Sequence, residues 1–128
     1  MKLASLIPIL ILSSILIINH PMDEKENDEW SKIYGIIGVA HDILKIRDGY
    51  LIRGYCQPKG KENLDAFLLK IDSQGNEIWN KTYGSRGEND YANSVLETED
   101  GYLISGFTSS YGSKAWDIWL LKIDKEGN

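Results

Sequence analysis

With 128 residues, a formal net charge of −5 and a single cysteine, the chain has the size of one domain, and its balance excludes some classes at once. A nucleic-acid binder needs a basic face to displace phosphate counterions, and no lysine or arginine cluster offsets the acidity here. One cysteine admits no internal disulfide, and Cys56, at the end of an apolar run, is expected to be a buried, inert thiol.

Residues 1–21 read as a targeting segment. Lys2 supplies a minimal positive start, and Leu3 to Ile18 is apolar apart from Ser5, Pro8, Ser13 and Ser14. The run is somewhat short for a bilayer span of about 20 residues, and Asn19-His20-Pro21 offers no small-residue cleavage site. A secretory signal, expected as a hydrophobic helix, is the preferred reading; an uncleaved N-terminal membrane anchor is the alternative. Either places the remainder outside the cytoplasm, with membrane contact through this segment alone. Residues 22–29 are a charged spacer with nothing to bury, so a flexible linker is expected there.

From Trp30 onward short strands alternate with turn chemistry, and nothing outside the leader shows helical spacing. Asp48-Gly49 and Asp100-Gly101 lie between apolar runs and signal hairpins. Asp72-Ser-Gln-Gly-Asn76 and Asp124-Lys-Glu-Gly-Asn128 signal a second turn, in which the carboxylate accepts backbone N–H groups. Strands are expected over residues 39–46, 50–56, 65–71, 77–83, 91–98, 102–108 and 116–123, with Trp30–Tyr34 as one more in front. Phe67–Ile71 and Trp119–Ile123 are apolar on both faces and need cover on both. Ile78–Tyr83 mixes polar and aromatic residues, as an outermost strand does.

The chain repeats itself. Asp48-Gly-Tyr-Leu-Ile-Arg-Gly-Tyr55 returns about 52 residues later as Asp100-Gly-Tyr-Leu-Ile-Ser-Gly-Phe107, and Asp65-Ala-Phe-Leu-Leu-Lys-Ile-Asp72 as Asp117-Ile-Trp-Leu-Leu-Lys-Ile-Asp124. Trp30-Ser-Lys-Ile-Tyr-Gly35 returns about 49 residues later as Trp79-Asn-Lys-Thr-Tyr-Gly84. Residues 30–128 therefore hold about two units, roughly 36–84 and 85–128, expected to stack face against face.

These motifs, in this order, resemble a β-propeller repeat of about 50 residues found in exported archaeal and bacterial proteins. The resemblance implies an all-β fold of four-stranded antiparallel blades. Such rings close with four to eight blades, so about two imply an incomplete ring: a truncated piece, or a protomer that closes a ring as a homo-oligomer. Truncation is the preferred expectation. The stretch from Asp72 to Trp79 also resembles the aspartate box of sialidase-type propellers and, in part, the quinoprotein propeller motif. Both motifs are structural, and that role is carried to Asp72, Gly75 and Trp79, and by repetition to Asp124 and Gly127.

No catalytic or cofactor-binding constellation emerges from the residues. His41 occupies a position that is Asn93 in the second unit, which suits a polar rim better than a general base. Gly54 to Lys61 lacks the spacing of a phosphate loop. Glu88, Asn89 and Asp90 are weak candidates for calcium, against the plainer reading of a solvated connecting loop. Tyr55, Tyr111 and Trp116 are candidates for stacking on a sugar or partner, against the plainer reading of packing between units. Asn80-Lys-Thr82 fits a glycosylation acceptor. The expected function is a non-catalytic surface interaction or scaffold module that meets protein or glycan. A carbohydrate-binding propeller is the alternative, and a piece of a quinoprotein-like or glycan-cleaving enzyme the third reading.

Overall fold

The computed structural model describes residues 29–85, 87–112 and 115–128. The leader and all of the charged spacer except Glu29 lie outside the described residues, as do the expectations placed on them. The chain forms seven strands: β1 (Gly38–Ile46), β2 (Gly49–Cys56), β3 (Asp65–Ile71), β4 (Glu77–Tyr83), β5 (Asp90–Glu97), β6 (Gly101–Thr108) and β7 (Asp117–Asp124). They make two antiparallel sheets, in the orders β1-β2-β3-β4 and β5-β6-β7. No described residue is helical, and among the described residues no helix is long and apolar enough to cross a membrane.

Local chemistry accounts for the strand ends. The Asp72 Oδ1 accepts the backbone N–H of Gln74 at 2.9 Å and of Asn76 at 2.8 Å. Asp124 repeats this with Glu126 at 3.0 Å and Asn128 at 2.8 Å. Gly75 and Gly127 take φ of 78° and 83°, the left-handed region that residues with a Cβ enter only at a cost. In the hairpins, Asp48 reaches Lys70 at 3.1 Å and Asp100 reaches Lys122 at 3.2 Å, one ion pair written twice. Both first strands also bulge at the same place, between Ala40 and Asp42 and between Ala92 and Ser94. The extra residues are His41 and Asn93, so the polar position that the two units share is the additional residue of a bulge in the ladder.

The sheets stack face to face. Leu51, Ala66 and Leu68 meet Ala92, Tyr102, Ile104 and Ile123 in one apolar cluster. The far face of the first sheet carries Cys56, Phe67, Leu69 and Ile71, covered by Tyr34 and Ile36 from the segment that precedes β1. Cys56 is buried, and burial together with the Asp65 carboxylate pushes its thiol above its ordinary pKa. Every residue of β3 is buried, as its two apolar faces require.

Two expectations are corrected. Trp30–Tyr34 is not a strand; a strand needs a neighbouring edge to bond, and among the described residues this segment bonds to no strand edge. The second apolar strand is not covered on both sides. Ala66 and Leu68 are 1% and 0% exposed, whereas their counterparts in β7, Ile118 and Leu120, are 94% and 64% exposed. An apolar sequence states what a strand needs, and among the described residues nothing supplies it to β7.

The link from β4 to β5 sets how the sheets lie. It returns from the outer edge of one sheet to the first strand of the next. A four-stranded sheet is about 15 Å across, and seven or so peptide steps reach roughly 23 Å, so the crossing is direct. Gly84 threads between two buried carboxylates, where a Cβ would lie 2.5 Å from Asp90 Oδ2 and 2.9 Å from Asp65 Oδ1.

Candidate functional site

Three places gather the residues singled out in the sequence. The first is the contact between Trp79-x-Lys-x-Tyr83 and the turn Asp124–Asn128. Strand β4 presents Trp79, Lys81 and Tyr83 on alternate positions, hence on one side. The Trp79 Nε1 donates to the Lys125 carbonyl at 3.0 Å, Lys81 Nζ to Asn128 Oδ1 at 2.5 Å, and the Tyr83 hydroxyl to the Gly127 carbonyl at 2.8 Å. The Trp79 ring lies over Gly127 and edge-on to Tyr102, at 6.3 Å between centroids.

The same latch is built a second time. Lys32 Nζ donates to Asn76 Oδ1 at 2.6 Å, and the Tyr34 hydroxyl to the Gly75 carbonyl at 2.7 Å. The Trp30 ring lies over Gly75, with three ring atoms 2.7 to 3.0 Å from where a Cβ would stand. The turns of Asp72, Gly75, Asp124 and Gly127 thus meet Trp30, Lys32 and Tyr34 in one place and Trp79, Lys81 and Tyr83 in the other. Their signal was the Trp-x-Lys-x-Tyr-Gly repetition itself.

Backbone N–H bonds, chiefly from Asn76 and Asn128, hold the Asp72 and Asp124 carboxyls below the usual carboxylate range. Whatever these charges contribute to the turns is present above about pH 4 and is lost as the pH falls through the lowered folded values. Tyr83 behaves in the opposite sense. Burial, and secondarily the Asp124 carboxylate, push its phenol up to about 12. Unfolded tyrosine releases its proton near pH 10, so from about pH 10 to about 12 the native state holds a proton that the unfolded chain has lost. Stability therefore falls across that window. Tyr83→Phe is expected to flatten part of the decline when denaturant unfolding is followed from pH 9 upward; parallel slopes would show the phenol to be unperturbed.

Gly75→Ala tests the latch at its tightest point. The left-handed φ costs an L-residue about 1–2 kcal/mol, and the new methyl would displace the Trp30 ring. The expected result is a red-shifted Trp30 emission with an intact two-sheet circular dichroism spectrum. An unchanged emission maximum would show that the ring does not rest on this glycine in solution.

The second place is the β4–β5 connection, where calcium ligands were considered. Its three candidates diverge. The Asp90 carboxylate is 0% exposed, and it accepts bonds from the Thr108 hydroxyl, from Ser110 Oγ at 2.6 Å and from Ser85 N at 3.2 Å. Asn89 Oδ1 accepts the Leu64 N–H at 2.8 Å, while Glu88 turns toward Ser109. The expected solvated loop is thus corrected at Asp90, which anchors the crossing instead. Nearby, Asp65 is held by Lys61 Nζ at 2.8 Å and Asn63 Nδ2 at 3.0 Å. Among the described residues no group of three or more His, Cys, Asp or Glu converges on one point.

The third place is an aromatic run. His41, Tyr55 and Tyr91 follow one another at centroid distances of 5.0 and 5.3 Å. Tyr91 stacks on Phe107 at 4.8 Å, and Trp116 stands edge-on to Phe107 at 5.0 Å. Tyr91, Phe107 and Trp116 line a shallow recess of about 520 Å³. Tyr55 joins one sheet to the other; Trp116 is exposed on the bare face beside Ile118 and Leu120. Tyr111 lies apart, against Trp119 at 6.3 Å. Tyr91 and Phe107 escaped the sequence reading because their positions hold Val39 and Tyr55 in the first unit. Phe107 could have been flagged as a partner of Tyr55.

A scan against family models, a search of curated proteins and a search of solved structures each returned no match.

Proposed function

We propose that the chain is a β-propeller-type repeat module, exported or held at the cell surface, whose work is interaction and scaffolding rather than catalysis. The observation that carries this reading is the latch made twice from the same residues. In each, a Trp-x-Lys-x-Tyr segment grips the turn that follows in the stack through a ring, an amine and a phenol, and units so gripped are built to stack in series.

The experiment is an extension. A second copy of the Glu77–Gly84 sequence appended after Asn128 supplies a fourth strand to the β5-β6-β7 sheet. The extended chain is expected to unfold at a higher temperature than the parent, because the new strand bonds the free edge of β7 and covers apolar area. An unchanged midpoint would sink the modular reading. Turnover of alcohols or sugars upon addition of a quinone cofactor would sink the non-catalytic one.

The recess lined by half-buried Tyr91 and Phe107 and exposed Trp116 favours carbohydrate as a second reading, since sugar rings stack on such faces. Quenching or enhancement of tryptophan emission by oligosaccharides, removed by Trp116→Ala, is the result that would support it.

A further inference from the structure

We infer that a second copy of the chain covers the bare side of the β5-β6-β7 sheet, with Trp30–Gly35 of one copy adding as a fourth strand along β7 of the next. The inference rests on the repeat reading above and names the partner that the stack accepts.

Three observations converge. The first concerns the edge. Strand β3 bonds β4 in a defined register, with Lys70 opposite Trp79, Leu68 opposite Lys81 and Ala66 opposite Tyr83. Strand β7 repeats the β3 sequence and among the described residues bonds only β6, so its outer row of N–H and C=O groups is a template for strand addition.

The second concerns the strand. Trp30–Gly35 repeats the residues of β4 that matter for docking, and it already grips its own turn at Gly75 and Asn76 as β4 grips Gly127 and Asn128. It therefore holds the place of a fourth strand, at the other end of the stack, bonded to no strand edge among the described residues. Ile33, which corresponds to Thr82, is 97% exposed. In the register of β3 and β4, Trp30 falls opposite Lys122, Lys32 opposite Leu120, Ile33 opposite Trp119 and Tyr34 opposite Ile118.

The third concerns the face. Positions that the first sheet buries against the second (Ala66, Leu68) are exposed in the second sheet as Ile118 and Leu120, with Leu96 and Trp116 beside them. The opposite end of the stack carries Phe67, Leu69 and Ile71, the counterparts of the β7 residues that face the first sheet, with Ile43 55% exposed on the same side. The chain thus carries both halves of an interface it has already made once internally. Because the halves differ, the contact is head to tail: it closes into a ring when the rotation allows and otherwise extends.

The test uses the full chain in mild detergent, with mass read by light scattering from low to high micromolar concentration, and cysteine pairs in a Cys56→Ala background. The expected results are a discrete multiple of the chain mass and a disulfide between a Lys32→Cys chain and a Leu120→Cys chain upon mixing. Ile33→Cys, whose side chain falls on the opposite side of the added strand, should link poorly to Leu120→Cys. The chain extended after Asn128 should lose assembly, since its own strand occupies β7.

A mass of one chain throughout with no cross-link overturns the inference. So does a Lys32→Cys chain that links to itself as readily as to Leu120→Cys, or an extended chain that still assembles. A monomer that the extension stabilises leaves the modular reading standing and removes self-assembly alone; a chain neither assembled nor stabilised removes both. A monomer whose emission responds to oligosaccharide through Trp116 overturns the inference and assigns the face to sugar.

Discussion

Trp79→Ala is expected to lower the free energy of unfolding by about 3 kcal/mol, the low end of the range for removing a large aromatic from a packed site. The low end applies because the indole is half-buried. Three losses combine: the ring over Gly127, the edge contact with Tyr102, and the 3.0 Å bond from Nε1 to the Lys125 carbonyl. Trp79→Phe separates them. It keeps most of the apolar contact and removes the donor, so about 1 kcal/mol is expected from it. Trp30→Ala removes the corresponding ring from a segment that belongs to no sheet and is expected to cost less than Trp79→Ala. The readout is denaturant unfolding followed by circular dichroism, since emission changes with every tryptophan removed. A loss below about 1 kcal/mol for Trp79→Ala would mean that the turn does not couple the sheets.

The ordering Trp79 before Trp30 shows what a repeat adds to a motif. The lysine and the tyrosine of the Trp-x-Lys-x-Tyr segment make the same hydrogen bonds in both places, yet only one copy is a strand. The difference lies in whether an edge is available, not in the segment. Sequence reading placed all seven strands within one residue at each end because glycine and aspartate turns punctuate them, and those turns act locally. It placed an eighth strand at Trp30–Tyr34 because propensity cannot tell whether an edge stands alongside. It likewise read β7 as covered, since a strand apolar on both faces looks the same whether its cover is present or absent.

The candidate site divides along the same line. Asp72, Gly75, Trp79, Asp124 and Gly127 were legible because a turn and its docked ring repeat at a fixed interval. The lysine and tyrosine of the latch were visible only as part of the repeat, because nothing in a lone Lys or Tyr names its acceptor. Asp90 escaped for another reason. Its neighbours Glu88 and Asn89 are polar, and only the three-dimensional crossing places its carboxylate against Thr108 and Ser110. Arg53 is a further case: its Nη1 donates to the Ala92 carbonyl of the second sheet at 3.0 Å, beside the bulge in β5. Its counterpart in the second unit is Ser105, so the repeat gave no hint.

The sharpest expected contrast is between two leucines at the same place in the two units. Leu68→Ala is expected to cost about 3 kcal/mol, within the range for a fully enclosed leucine whose site cannot collapse, because Leu68 is 0% exposed between the sheets. Leu120→Ala in dilute solution is expected to stay within about 0.5 kcal/mol, as surface changes do, because Leu120 is 64% exposed. The two respond differently to concentration. Anything that binds only the folded state adds stability by mass action, so if a second copy seats on Leu120 its cost grows as the chain is concentrated, while the cost at Leu68 is constant. Equal costs at high dilution would mean that the β7 face is already covered within one chain. A Leu120→Ala cost that never rises would mean that no second copy comes to it. Either result is read from denaturation midpoints of two single substitutions, and neither requires the partner to be known in advance.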